Sequence, residues 1–318
     1  LEAQRHGSAD PLAISARVSD PYGTQQIGVG LAPNLNTKIL RLNGEDQRGH
    51  NAFHDILRCV WLTPQMDGLF LQSGSDRRRF FDRLVASFDP AHQGRITRYD
   101  KAMGERSKLL KDNATPDPSW LDALETQMAE TAMALAASRI DHLHRLRDQG
   151  RDVIPADSPF PRAEITLTGI AETALEAGEA ALDIEDSLRA LYQASRMRDS
   201  ITGGAQDGAH KCDMQVTHAE KNLVAAQCST GEQKALLTGI VLANAVILHH
   251  LHAQAPILLF DEVAAHLDNH RRSALFDTLS GLSTQIWMTG TEEGVFEGVP
   301  DSAISISVTP GKAVIQQS

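Results

Sequence analysis

Two acids at the end of an apolar run are the strongest chemical signal in this chain. Pro256 to Asp268 reads PILLFDEVAAHLD, and Ile257-Leu258-Leu259-Phe260 stops abruptly at Asp261 and Glu262. A short apolar run of this kind predicts a buried strand. In parallel α/β sheets, ligands gather beyond the carboxyl ends of strands. Asp261 therefore stands where a carboxylate holds Mg²⁺, a cation that takes oxygen ligands and keeps several waters. Glu262 is placed to polarise an attacking water as a general base. The plainer reading is a strand that ends in solvated acids.

A second piece lies one helix upstream. Cys228 to Lys234 reads CSTGEQK. Ser229 and Glu232 have capping-box spacing, so a helix is predicted to start here. Gly231 lets a phosphate approach the backbone closely. The free N–H groups and the helix dipole favour an anion at this end. Taken alone, the segment is also just a well-capped helix. A third piece, Gln285 to Thr289, predicts a strand beside the Asp261 strand. The Thr289 hydroxyl could meet the same phosphate, or the residue could simply end a buried strand.

These pieces need elements to hold them. The last third alternates helix and strand: helix Thr230 to His252, strand Pro256 to Phe260, helix Asn269 to Leu279, strand Gln285 to Thr289. That order predicts a βαβ unit with a parallel sheet. Ala303 to Val308 and Ala313 to Ile315 predict a closing hairpin around Pro310-Gly311. Strands are predicted at Ile14 to Val18, Ile27 to Leu31, Thr37 to Leu42 and Leu57 to Leu62, with turns at Asp20-Pro21-Tyr22-Gly23 and Asn43-Gly44. Helical patterns follow at Arg77 to Val85 and Tyr99 to Leu110. After a break at Asn113 to Ser119, Leu121, Leu124, Met128, Ala132, Leu135, Leu143 and Leu146 mark one stripe of a long helix. Ala163 to Thr168 reads as a strand, Ala171 to Arg198 as helical, and Asp213 to Thr217 as a short strand.

Composition narrows the options. A hydrophobic fraction of 42% over 318 residues supports a large core in one domain or two lobes. Mean hydropathy is −0.26, and no membrane span or secretory signal is expected. Cys59, Cys212 and Cys228 lie far apart without a CxxC, which suits free thiols in a reducing cytoplasm. His249, His250 and His252 suggest a partly exposed helix face rather than zinc ligands. The net charge of −11 argues against nucleic-acid binding by bulk charge, although a local basic patch would suffice.

Ala265-His266-Leu267-Asp268 follows Asp261 at the spacing of a D-loop, the segment that crosses the dimer interface in ABC-type ATPases. Several further segments resemble the RecF family. LLFDEVAAHLDNHRRSAL is similar to its C-terminal signature, with Asp261, Ala265, His266, Leu267, Asp268 and Arg271 in register. SGSDRRRFFDRLV, Ser73 to Val85, resembles its GxxxxRRRFLD segment. Tyr99-Asp100-Lys101-Ala102 through Lys111 resembles its YxKAxxxRNxLLK run. Gly208 to Asp213 resembles a GPHRDD loop, with Ala209 and Cys212 departing. Thr63-Pro64-Gln65-Met66-Asp67 resembles an SPED-type turn in which Gln65 replaces the acid. The resemblance runs from about Ile56 to the end.

The resemblance implies an α/β fold, an ABC-type P-loop ATPase head with a helical lobe. Residues 1–75 are expected to form a β-rich part of the ATPase lobe. Residues 76–200 would be mainly helical, and 201–318 would return to the ATPase lobe. It implies ATP and Mg²⁺ as cofactors. Glu262 would be catalytic and Asp261 the metal ligand, with Ser229, Gly231, Gln233, Asp268 and Thr289 around the nucleotide. It implies an ATP-dependent homodimer on duplex DNA near single-strand gaps, helping to load RecA with RecO and RecR in the cytoplasm, and no membrane partner. Arg77, Arg78, Arg79 and Lys211 are candidate DNA contacts; the triplet could equally be a solvated helix face or brace the helical lobe. A transporter ATPase subunit and a non-enzymatic adaptor with a degenerate head are the competing readings. The sequence contains no GxxxxGK[ST]. The family's phosphate loop lies near its N-terminus, so the chain is expected to lack that unit, to expose sheet edges and to bind ATP weakly. An intact member would be a slow, DNA-stimulated ATPase.

Overall fold

The computed structural model describes residues 12–20, 23–32, 37–47, 53, 56–112, 116–153, 158–251 and 256–316. Pro21-Tyr22 of the first turn, Asn113 to Thr115 of the break, and His252 lie outside these residues. In chain order the elements are β1 (Ala13–Asp20), β2 (Gly23–Leu31), β3 (Lys38–Leu42), β4 (Glu45–Gln47), β5 (Cys59–Leu62), α1 (Gly74–Phe88), α2 (Ala91–Asp112), α3 (Pro118–Val153), β6 (Ala163–Thr168), α4 (Ile170–Glu176), α5 (Ala181–Ala194), α6 (Arg196–Thr202), β7 (Asp213–His218), β8 (Leu223–Val224), α7 (Thr230–Leu251), β9 (Ile257–Asp261), α8 (Asn269–Ser280), β10 (Ile286–Thr289), β11 (Ser305–Thr309) and β12 (Lys312–Gln316).

β1 to β4 form an antiparallel meander, and β6, β7 and β8 a second antiparallel sheet. Asn43 and Gly44 have φ of 52° and 89° between β3 and β4, the left-handed pair that a tight hairpin turn requires. β9 lies between β5 and β10, and both pairings are parallel. This is the expected βαβ arrangement, with α8 as the crossover. β11 and β12 close the chain as a hairpin.

The apolar run before Asp261 is buried on one face only. Leu258 and Phe260 are 0% and 1% exposed, whereas Leu259 is 39% exposed. Leu259 is in register with Trp61 and Trp287, so three large apolar side chains form a row on the open face. Alternation along the strands explains this: residues two apart share a face, and only the Leu258–Phe260 face meets the main core.

That core is built around α7. Thr230–Leu251 is long and apolar enough to cross a membrane, but 78% of its most apolar window is buried inside the protein. It is a core helix with packing on all sides, which is why its apolar residues show no single stripe.

A second core gathers Tyr99, Leu109, Leu124, Met128, Leu135, Ile184 and Leu188 from α2, α3 and α5. α3 belongs to both cores. Its residues up to Ala136 pack in the second, and Ile140, Leu143 and Leu146 pack in the first. Arg139 sits at the changeover and is almost fully buried. Its guanidinium donates twice to Asp82 of α1 (2.8 and 3.0 Å), to Glu172 of α4 (2.7 Å) and to the Ala209 carbonyl (3.0 Å). Arg106 repeats the device inside the helical core, donating to Glu125, Asp199 and the Tyr192 carbonyl at 2.7–2.8 Å. Removing one partner of such a buried pair costs about 3–5 kcal/mol, because the other charge stays desolvated.

One buried group near this junction is poorly partnered. His142 of α3 packs on the Phe81 and Phe88 rings at 5.6 and 4.5 Å, neither ring nitrogen makes a well-formed hydrogen bond, and the weak help of Asn244 does not offset burial. Burial pushes its pKa down from 6.5 to about 3. A histidine held neutral when folded but free to protonate when unfolded costs stability as pH falls below 6.5, and the loss is complete near 3. His142→Phe, which keeps an aromatic ring there, should gain about 2 kcal/mol relative to wild type between pH 7 and pH 5. Urea unfolding across that range checks this; parallel stability curves would contradict it.

Candidate functional site

The parallel pairing sets Thr289 directly beside Asp261. The Thr289 hydroxyl donates to Asp261 Oδ1 at 2.5 Å and accepts from the Glu262 backbone N–H at 3.2 Å. The same N–H reaches the Thr289 carbonyl at 3.2 Å. Glu262 has φ of 54°, in the left-handed region that a non-glycine residue rarely adopts. Such a conformation costs on the order of 1–3 kcal/mol and persists where neighbours hold it. Here Thr289 is that neighbour. Asp261 is exposed and Glu262 half-buried, so the carboxylates are open to a ligand. The oxygens of Asp261, Glu262 and Thr289 are the hard donors that Mg²⁺ takes. Among the described residues no cluster of three His, Cys, Asp or Glu side chains could hold a metal, so the donor set relies on water or substrate oxygens.

The capped helix start is also present. The Ser229 N–H and hydroxyl donate to Glu232 Oε2 at 2.9 and 2.8 Å, and the Glu232 N–H reaches back to Ser229 Oγ at 3.4 Å. Lys221 pairs with Glu232 from the preceding loop. The Lys221 ammonium and the Ser229 hydroxyl hold the Glu232 carboxyl down to about 2, so the box stays charged at any ordinary pH. A side chain at Gly231 would meet only open space, which leaves this backbone approachable. Gln233 points the other way. It is 4% exposed and donates to the Cys228 carbonyl at 2.9 Å. Lys234 pairs with Asp67 at 2.7 Å, tying the start of α7 to the turn after β5. Both residues stand in segments singled out from the sequence, but their pairing across 167 positions had no local signal.

Asp268 caps α8, its Oδ1 accepting from the Arg271 N–H at 2.9 Å. Arg271 in turn donates to the Pro159 carbonyl at 3.1 Å. Ser229, Asp261 and Asp268 thus all sit at element ends, where side chains are held by backbone geometry and remain reachable.

The arginine triplet divides its work. Arg77 forms a two-pronged pair with Asp213 at 2.8 and 2.6 Å and also donates to the Gln72 carbonyl at 2.6 Å. Arg78 donates to the His210 carbonyl. His210 Nε2 donates to the Ala205 carbonyl and Nδ1 accepts from Tyr99 Oη, both at 3.0 Å. Gly208 has φ of 129°, and a Cβ there would collide with Tyr99 Oη at 2.2 Å. Arg77 and Arg78 are therefore braces for the 208–213 loop. Arg79 pairs with Asp76 but is 70% exposed, and Lys211 is exposed.

No protein-family model matches the chain. Its structure is similar to that of the recombination mediator protein RecF with ATP in the RecFOR pathway (TM-score 0.81, 18% identity, 98% of this chain and 82% of the other). The corresponding structure with ATPrS gives a TM-score of 0.79 at 17% identity, over 95% and 80% of the two chains. The fold is a mixed α/β unit with a parallel sheet joined to helices, the fold of these RecF structures. Curated relatives narrow the class. The DNA replication and repair protein RecF of Rhizobium etli is 44% identical over 310 residues, covering 97% of this chain and 82% of the relative. That of Brucella suis is 44% identical over 292 residues, covering 92% and 75%. The chain belongs to the RecF family.

Thr289, expected either to contact a phosphate or simply to end a buried strand, has its hydroxyl between the Asp261 carboxylate and the Glu262 backbone N–H. Thr289→Val should leave the Glu262 amide with only the Thr289 carbonyl as acceptor, and hydrogen exchange there should speed up about tenfold, as expected for one lost bond of roughly 1.4 kcal/mol. Thr289→Ser should restore the slow rate. Equal exchange in all three proteins would contradict the bridging role.

Proposed function

We propose that this protein is an ATP-dependent DNA-binding protein of recombinational gap repair and replication restart. The observation that carries the reading is the Asp261–Glu262 pair held by Thr289 at the carboxyl end of a central parallel strand. Family membership and the ATP-bound RecF structure of the same fold support it. Residues 76–200 act in this reading as a helical lobe carried by the head.

Each site residue then has a task. Asp261 holds Mg²⁺, which when bound neutralises charge on the nucleotide phosphates. Glu262 accepts a proton from the attacking water. Thr289 orients both acids. Ser229, Gly231 and the free N–H groups of α7 present an anion site to the phosphates of a nucleotide held by a second copy. Asp268, exposed at the start of α8, faces the same nucleotide in this reading, and Gln233 braces the loop from inside. Two copies related by a two-fold axis would form two equivalent composite sites. ATP then favours the dimer because it binds the dimer better than the monomer. The dimer clamps duplex DNA near single-strand gaps, with RecO and RecR as partners in loading RecA, in the cytoplasm.

Two variants of the complete gene product test this. Glu262→Gln should lower ATP turnover at least about 100-fold while leaving ATP-driven association intact; unchanged turnover would remove Glu262 as the base. Gly231→Glu places a negative charge in open space in the first turn of α7, where the helix tolerates it. It should abolish the ATP-induced dimer in sedimentation without lowering the melting temperature. An unaltered dimer shift would overturn the composite site.

A further inference from the structure

The outer face of α2 carries cations that the fold does not use. Arg98, Lys101, Lys108 and Lys111 are all exposed. Steps of three, seven and three residues keep them on one side of the helix. Some other exposed cations are spent on carboxylates, Arg145 on Asp141, Arg162 on Glu220 and Arg189 on Asp186, whereas Arg17, Lys38, Lys211 and Lys312 are scattered singly with no ion pair among the described residues. On α2, Lys101 has Glu105 at 3.9 Å, and Glu105 also stands three positions before Lys108, so this face carries an acid among its cations. Arg98, Lys108 and Lys111 make no ion pair among the described residues. The C-terminal end of the helix accounts for Lys111. It does not account for Arg98 or Lys108, in a chain whose net charge is −11.

The same side carries two glycines. Gly94 lies four residues before Arg98, and Gly104 lies between Lys101 and Lys108. A Cβ at either would meet nothing within 4 Å, so no packing contact requires them. Glycine inside a helix is unfavourable, and its remaining use is to let another backbone come close. The opposite side of α2 is locked in the core by Tyr99, Ala102, Arg106 and Leu109, so the outer face is presented rigidly. Asp100 lies to one side, towards His210 of the braced loop and Arg78 of α1.

We propose that this face of α2 seats the sugar–phosphate backbone of duplex DNA, with Arg98, Lys101, Lys108 and Lys111 on phosphates and Gly94 and Gly104 admitting the strand between them. The proposal rests on the DNA-binding reading above for the identity of the partner. The four cations span about 20 Å of helix axis. Successive phosphates of one strand advance about 3.4 Å along duplex DNA, so that length faces roughly six of them. The charge, spacing and missing side chains fit a repeating polyanion better than a single bound anion.

The test is equilibrium binding of the complete gene product, with ATP, to labelled gapped duplex DNA over about 50–300 mM salt. Replacing Arg98, Lys101, Lys108 and Lys111 by Ala together should weaken binding roughly a hundredfold and reduce the slope of log K against log salt by about 3–4, close to 0.9 per lost contact. A control lacking Arg145, Arg162 and Arg189 also loses three positive charges and should keep the wild-type slope. Gly94→Gln with Gly104→Gln should raise the melting temperature by about 2 °C or more, yet weaken DNA binding about tenfold with no change of slope. A merely structural role would not separate stability from binding in this way. A wild-type slope in the fourfold variant, equal loss in the control, or unchanged affinity in the glycine variant would overturn the assignment. So would a variant that lost binding to phosphatidylglycerol vesicles and not to DNA. Wild-type protein that failed to bind DNA at all would overturn the DNA-binding reading as well.

Discussion

The register of β9 between its two parallel neighbours is the constraint on which the site depends. Leu62 faces Phe260 on one side, and Thr289 faces Asp261 on the other. The alternation that buries Leu258 and Phe260 against α7 sends Leu259 and Asp261 to the open face. A slip of one residue would bury the aspartate and expose the phenylalanine. The apolar core thus fixes the position of a charged group that it does not touch. Glu262 leaves the strand by a left-handed turn, and the Thr289 hydroxyl links the two acids. The row of Trp61, Leu259 and Trp287 shares that open face. Parallel sheets are ordinarily covered on both sides, so the acids stand beside a surface whose chemistry favours contact with further protein or ligand.

The helical part follows a different rule. Charged groups sealed from water lie inside its core and where it meets the first core, each supplied with enough partners to offset desolvation. Arg139 joins α3 to α1, α4 and the 208–213 loop, and Arg106 joins α2 to α3, α5 and α6. Asp82 shows the balance. Burial pushes its pKa up, but His92 and Arg139 outweigh burial and bring it to about 2. Guanidinium groups suit this task because they stay charged and bond in several directions at once. The same preference explains why two members of the arginine triplet turn inward.

Much of the architecture was legible because local patterns and tertiary demands agree. Ala163 to Thr168 alternates polar and apolar residues and is β6, residue for residue. Asn43-Gly44 is a turn for the reason its residue types suggest. The acids, the capped helix and the Thr289 strand were each visible as short patterns. What escaped was set by partners far away in sequence. Arg77 meets Asp213 across 136 positions, and nothing in SGSDRRR announces which arginine is spent inside. Gln233 sits in a segment read as facing a nucleotide, but the helix phase turns it towards Cys228. Leu259 looks as buried as its neighbours, because a run of four apolar residues does not reveal which faces are covered. The apolar side of α7 is lost in a sequence that is apolar all round.

In the proposed function, the end of β9 is a phosphate-handling site assembled by strand register. The most direct measurement is a structure of the complete gene product with Mg²⁺ and a non-hydrolysable ATP analogue. The expected result is a metal held by the Asp261 carboxylate directly or through one water. It also has the Glu262 carboxylate facing the terminal phosphate and the start of α7 from a second copy closing the far side. A nucleotide bound away from these acids, or bound with Asp261 and Glu262 still facing only solvent, would contradict it.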